Sequence, residues 1–173
     1  MSAAACAWGG LSIAGMALAL PLAALREVMP CRGLSPLPCA AVAVIGGLAV
    51  RGVTIPVLDL ALQLQRDTAP ADSDCVVIVA HEGRLLGLRA QSVSGIFGEQ
   101  PGSRVAAVSP AEPGQLFAGS VRRSDPELLV NLLSVPALAA LPGVPWVDDP
   151  EPQRQAGAAT RWRRPRRATT RCR

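Results

Sequence analysis

The 173-residue sequence contains no lysine and no tyrosine, a single histidine (His81), and aromatic side chains at only 3% of positions. Each absence closes off a chemistry. Without lysine there is no P-loop phosphate lysine, no protein-kinase ATP lysine and no Schiff-base nucleophile. One histidine excludes HExxH and histidine-cluster zinc sites, and a hydrolytic triad would have to recruit His81. That residue sits in HEGR, which reads as a hairpin turn where a solvated polar side chain is the ordinary occupant. The chain also lacks GxSxG, GxGxxG and EF-hand patterns. Cys6, Cys31, Cys39, Cys75 and Cys172 are odd in number and never fall at CxxC spacing, the usage of reduced, cytosolic thiols. Cys31 and Cys39 share a proline-rich loop, but one pair cannot make a four-ligand site, so no metal is expected. No cofactor is implied and no enzyme is expected.

Charge is equally thin, at 17% of residues, and all 17 cations are arginine. Its distribution is uneven. Residues 1–147 hold 9 Arg and 10 acids, a net charge of −1, whereas residues 148–173 hold 8 Arg and 3 acids, a net charge of +5. Residues 1–25 carry no charge, but a signal peptide needs cations ahead of its apolar stretch, and here the first is Arg26, behind it. Gly9, Gly10, Gly15 and Pro21 also interrupt the run, so neither a leader nor a membrane span is expected.

What the sequence does contain is short apolar runs separated at close intervals by its 16 Gly and 16 Pro, the pattern of an all-β chain. Leu11–Ala14 and Met16–Leu20 flank Gly15 as a hairpin. Ala23–Val28 has some helical character, and Ala40–Ile45 is expected to form a short helix. Leu48–Arg51 and Val53–Leu58 make two strands about Gly52, and Asp59 caps a helical turn running to Gln65. After a polar loop, Arg66–Asp74, the run CVVIVA at Cys75–Ala80 reads as a strand buried on both faces, returning into Leu85–Ala90. Ser92–Phe97, Arg104–Val108, Gln115–Val121 and Leu128–Leu132 are further strand candidates, and Val135–Leu141 a closing helical turn. From Asp148 onward the apolar pattern stops, and the tail is expected to be disordered. Its RWRRPRR run has the ingredients for contact with nucleic acid or an anionic membrane, an alternative function weaker than a merely solvated extension.

Between Leu11 and Leu64 the landmarks form an ordered series: LALPL at Leu18–Leu22, LREV at Leu25–Val28, LSPLP at Leu34–Pro38, GLAVRG at Gly47–Gly52 and PVLDL at Pro56–Leu60. EGRLLGL at Glu82–Leu88, SVSGI at Ser92–Ile96 and ELLVNLLSVPAL at Glu127–Leu138 follow. In this order they resemble the CheW-like chemotaxis adaptor domain family. The resemblance implies an all-β fold of two small antiparallel SH3-like barrel lobes packed together. The domain spans residues 8–142, its lobes meeting near the 66–74 loop, ahead of the Arg-rich tail at 148–173. It implies a cytoplasmic, non-catalytic adaptor at membrane receptor arrays, with a chemoreceptor (methyl-accepting) signalling domain and a CheA-type histidine kinase as partners, and paralogous CheW-like domains as further ones; neither nucleic acid nor membrane insertion is expected.

Carried over residue by residue, the resemblance falls most strongly on Glu27 and Arg51, the acid of the VxEV-like segment and the arginine of the RG turn. Opposite charges in otherwise apolar strands are expected to meet, and breaking such a pair, if buried, costs about 3–5 kcal/mol. Fixing the fold and touching a partner remain equal readings for this pair. Gly52 serves the turn, Gly47 the close packing ahead of it, and Asp59 the cap. Three departures stand out: Ala90–Gln91 replaces a Val-Asp pair, Asn131 replaces a carboxylate in the terminal segment, and Met16 replaces a polar residue in the first hairpin.

Overall fold

A computed structural model describes residues 7–67, 69–98, 104–105, 115–124 and 127–151. Among the described residues, twelve strands are distributed over two sheets. The first has the order β8(Ser92–Gly98), β1(Ala7–Ile13), β2(Met16–Pro21), β11(Glu127–Leu133), β10(Phe117–Ser124), β9(Arg104–Val105). The second has the order β3(Leu25–Pro30), β6(Cys75–His81), β7(Arg84–Ala90), β5(Val53–Leu58), β4(Val44–Val50), with β12(Val147–Asp148) on β7. Two short helices, α1(Leu60–Gln63) and α2(Val135–Ala139), close the inventory.

Three hairpins share one device. Ala14–Gly15, Arg51–Gly52 and Glu82–Gly83 each form a two-residue turn with positive φ at both positions, between the closing pairs Ile13↔Met16, Val50↔Val53 and His81↔Arg84. This is the turn geometry whose twist matches that of the strands it joins. Glycine supplies the second position without a Cβ penalty, which is why the sequence punctuation located all three.

The apolar side chains pack into three clusters. One lies inside the first lobe, around Trp8, Ala19, Val121, Val130 and Leu132. A second lies inside the other lobe, around Leu48, Ile55, Val57, Val76 and Ile78. The largest lies between the lobes, where Leu11, Ile13, Leu18 and Leu20 meet Val77, Val79, Leu86 and Leu88. Strand β6 feeds two of these clusters with alternate residues, Val76 and Ile78 to one side, Val77 and Val79 to the other. That is the physical basis of its unbroken apolar run.

Four expectations are corrected. The lobes do not divide at the 66–74 loop: β1 and β2 pair with β8 and β11, so the chain enters one lobe, builds the other from β3 to β7, and returns. The return sets β8 antiparallel to β1 and β11 parallel to β2; a second parallel pairing, β5 with β7, lies inside the other lobe. Ala40–Ile45 is no helix; its β-branched Val44 and Ile45 enter β4 instead, as their pleated-surface preference favours. The helical character of Ala23–Val28 reduces to one 3-10 turn, Leu22–Ala24, before β3. The folded part also runs past Asp148: β12 pairs Val147 with Leu85 and Asp148 with Arg84, and Asp149 and Glu151 bond onto the body. Residues 152–173, with the RWRRPRR run and its alternative function, lie outside the described residues.

One buried ion cluster joins these elements. Arg89 on β7 donates from Nε to Asp74 Oδ2 (2.8 Å), from Nη1 to Asp59 Oδ2 (2.6 Å) and from Nη2 to the Ala69 carbonyl (3.2 Å). Both carboxylates are otherwise occupied: Asp59 accepts from the Ala61 amide and Asp74 from the Ala71 amide. Hydrogen bonds to the two aspartates raise the Arg89 pKa against the opposing effect of burial, the largest single influence on it. The arginine therefore stays charged. Arg89→Ala leaves two buried carboxylates without a counter-ion and should cost about 3–5 kcal/mol, read as a lowered urea midpoint; an unchanged midpoint contradicts this role.

Candidate functional site

The site residues gather on the second lobe, where β3 forms one sheet edge and the β4–β5 hairpin the other. A β-bulge in β3 is the local cause. Leu25 opposes Val79 and Glu27 opposes Ile78, so Arg26 is an extra residue in the ladder. The bulge turns consecutive side chains, Arg26 and Glu27, toward one cleft, which an unbroken strand would send to opposite faces.

Across that cleft stands Arg51, at the first position of its hairpin turn with φ 49°. Its Nη2 lies 3.3 Å from Glu27 Oε2 and its Nη1 3.4 Å from Glu151 Oε2. The expected pair thus forms, but in the open: the Arg51 side chain is 63% exposed and that of Glu27 34%. Exposed pairs contribute about 0.2–1 kcal/mol, so this bridge cannot carry the stability of a buried one. The floor is apolar, made by Val50, Val53, Ile55, Ile78 and Leu85, and the rim is closed by Asp149–Glu151.

Gly47 and Gly52 serve different ends. A Cβ on Gly47 would lie 2.4 Å from Thr54 Cγ2 and 3.1 Å from two Leu37 atoms, so glycine lets the 31–38 loop lie against β4. Ser35 and Gly47 exchange two backbone hydrogen bonds there, 2.9 and 2.7 Å. Gly52 faces open space and is required by its φ of 82°. Asp59 caps α1 through its bond to the Ala61 amide, and it also holds Arg89, a second task that the sequence reading did not assign.

Sequence reasoning missed five charged participants. Arg26 pairs with Asp149, whose side chain is only 5% exposed. Glu151 reaches Arg51, and Arg89 with Asp74 forms the buried cluster. The signal for Arg89 was available, since a lone arginine in the apolar run of β7 demands a partner. The signal for Asp149 was not, because its partner lies 123 positions away. The departures from the family pattern are also absorbed. Gln91 Oε1 accepts from the Gly15 amide at 2.9 Å, and Asn131 Oδ1 accepts from Ser120 Oγ at 2.8 Å. His81 stands 6.3 Å from the Trp146 ring centroid and 4.0 Å from a Glu82 oxygen, an arrangement without a nucleophile.

A family model for the CheW-like domain matches residues 10–142. The chain belongs to the CheW-like domain family. Among solved structures, the scaffolding protein TtCheW from Thermoanaerobacter tengcongensis is similar at a TM-score of 0.66 and 18% identity, over 76% of this chain and 90% of that one. At that identity the likeness speaks for the fold: two SH3-like lobes of mostly antiparallel strands. No curated protein gives a significant sequence match. The family match ends at residue 142, so the Asp149–Glu151 rim of the cleft lies beyond it. Among the described residues of this CheW-like chain, no helix is long and apolar enough to cross a membrane, and no cluster of three or more metal-binding side chains occurs.

Two thiols, Cys31 and Cys75, lie near the Arg89 cluster, and burial is the main cause pushing both pKa values up from 9.0. The folded state therefore holds these protons longer than the unfolded chain. Their contribution is complete below pH 9 and is lost as the pH rises through the folded-state values. Thermal unfolding should shift to lower temperature above about pH 9, and the double variant Cys31→Ala/Cys75→Ala should lose part of that alkaline sensitivity. An identical pH profile for the variant contradicts the assignment.

Arg51→Asn tests whether this side chain is structural. Losing two exposed bridges costs about 0.2–1 kcal/mol each, while asparagine accepts the left-handed conformation that costs other residues about 1–2 kcal/mol. Urea unfolding should therefore move by less than about 1 kcal/mol. A larger loss would mean that the arginine holds the fold.

Proposed function

We propose that this CheW-like chain is a non-catalytic adaptor in bacterial chemotaxis signal transduction, coupling a chemoreceptor signalling domain to a CheA-type histidine kinase. It would work in the cytoplasm at membrane receptor arrays, with Glu27, Arg51 and Gly52 presenting the contact. The observation that carries the reading is the open arginine–glutamate pair above an apolar floor. Both charges are accessible, the guanidinium is held at a turn by a backbone that lies in the left-handed region, and their own bridge contributes little to stability.

Such a surface suits docking. Apolar contact supplies affinity and a few placed charges supply register, with no group that forms or breaks a covalent bond. Arg51 retains donor capacity beyond its two intramolecular acids, since a guanidinium has five N–H groups. An interface of standard size, roughly 1,600 Å² in total, would cover the cleft and reach the apolar surface beside it. The family match over residues 10–142 and the likeness to a scaffolding protein support the adaptor class; the identity of each partner is this reading's own step.

Receptor signalling fragments, kinase and this chain, combined in vitro, should give kinase stimulation that depends on the chain. Arg51→Ala and Glu27→Ala should weaken binding to at least one partner by about thirtyfold, the lower end for a charge placed in an interface, with unfolding curves close to wild type. No binding to either partner at micromolar concentration would overturn the proposal.

A further inference from the structure

The segment 147–151 occupies the very surface assigned to docking, and its geometry has two unequal parts. Strand β7 is paired with β6 along its whole length, from Cys75↔Ala90 to His81↔Arg84. On its other side β5 pairs only with Gly87 and Leu88. That leaves a free edge at Arg84 and Leu85, which β12 fills with the pairs Val147↔Leu85 and Asp148↔Arg84. Adding an extended segment to a sheet edge is a standard way for peptides to dock, and here the peptide belongs to the same chain.

Beyond β12 the grip is graded. The Asp149 amide donates to the Gly83 carbonyl at 2.8 Å, and its nearly buried carboxylate holds Arg26. Glu151 is only tethered: its amide donates to Asp149 Oδ1 at 2.9 Å, while its side chain, 74% exposed, reaches Arg51 at 3.4 Å. Asp149 is thus an anchor and Glu151 a latch. The electrostatic effect is a change of sign. Arg26, Arg51 and Glu27 together carry +1; with Asp149 and Glu151 included, the same cleft carries −1.

We propose that residues 147–151 are an intramolecular strap whose Glu151 competes for Arg51 with an acidic group of the docking partner. This rests on the reading of Arg51 as a partner contact and adds its regulation. In the free chain Glu151 neutralises the guanidinium and makes the cleft repel carboxylates. Docking releases Glu151 while Asp149 stays anchored. Because the latch is covalently attached, its effective concentration is high, in the millimolar range typical of short tethers, and it imposes a threshold on affinity.

The test is a double-mutant cycle in the full-length chain, with binding of the CheA-type kinase regulatory domain and of a receptor signalling fragment measured by titration. Glu151→Gln keeps shape and removes charge at an exposed site. It should tighten binding of the partner that engages Arg51 by about two- to fivefold, the range set by an exposed ion pair. The gain should vanish in an Arg51→Ala background. In parallel, amide exchange at Glu151 should accelerate when that partner binds. Equal affinity of wild type and Glu151→Gln overturns the strap while leaving the adaptor reading intact. A gain that persists in Arg51→Ala also overturns it, because it would then be a general effect of net charge. Failure of every form to bind either partner overturns both.

Discussion

The structure depends on one guanidinium buried among carboxylates. Arg89 lies on β7, the strand that holds the second sheet together, and its three nitrogens are bound by Asp59 at the end of β5, Asp74 at the start of β6 and the Ala69 carbonyl between them. Those two strands flank β7 in the sheet. The cluster therefore fixes both neighbours of the central strand, and each neighbour carries one half of the cleft: β5 is the base of the hairpin that presents Arg51, and β6 is the partner of bulged β3, which presents Glu27. A planar fork of donors suits this task and a single ammonium would not. The cost of burying one cation between two anions is further offset by the Ala61 amide on Asp59 Oδ1 and the Ala71 amide on Asp74 Oδ2.

Most of the strands were legible because the signals that define them are local. The dipeptides Ala14–Gly15, Arg51–Gly52 and Glu82–Gly83 mark reversals, and the apolar runs between them have strand length. Pairing partners were not legible. Nothing near β2 says that its neighbour is β11, over a hundred residues later, and without that pairing the lobes seem to split at the polar loop 66–74. The loop is a real excursion, yet it begins and ends inside one lobe. Ala40–Ile45 shows the other kind of miss. A short apolar run has no decisive period, and pairing with β5 drew only its end, Val44 and Ile45, into strand while residues 40–43 form a turn.

The candidate site divides along the same line. Glu27, Arg51, Gly47, Gly52 and Asp59 were visible as residue types in a recognisable order. The strap was invisible, because its acids look like ordinary tail polarity until Arg26 and Arg51 are seen beside them. Hydrophobic patterning finds cores and is blind to a segment held by backbone pairing and charge. The fold accordingly continues past Val147, where the apolar pattern stops, through the contacts of Asp148, Asp149 and Glu151.

A left-handed backbone at Arg51 is not by itself a mark of function, since Ala14 and Glu82 occupy the same turn position with φ of 52° and 49°. All three hairpins tolerate that strain for the twist it gives. What separates Arg51 is the reach of its side chain. Ala14 can hold nothing, and the exposed Glu82 comes no nearer than 4.0 Å to its neighbour His81. Arg51 spans an acid of β3 and one of the segment after β12, 24 and 100 positions away, while remaining largely exposed. Arg89, by contrast, is buried and bound by two aspartates and a carbonyl, so that removing it strands their charges. Held between two acids at the surface, Arg51 has the geometry that the proposed exchange of Glu151 for a partner's acid requires.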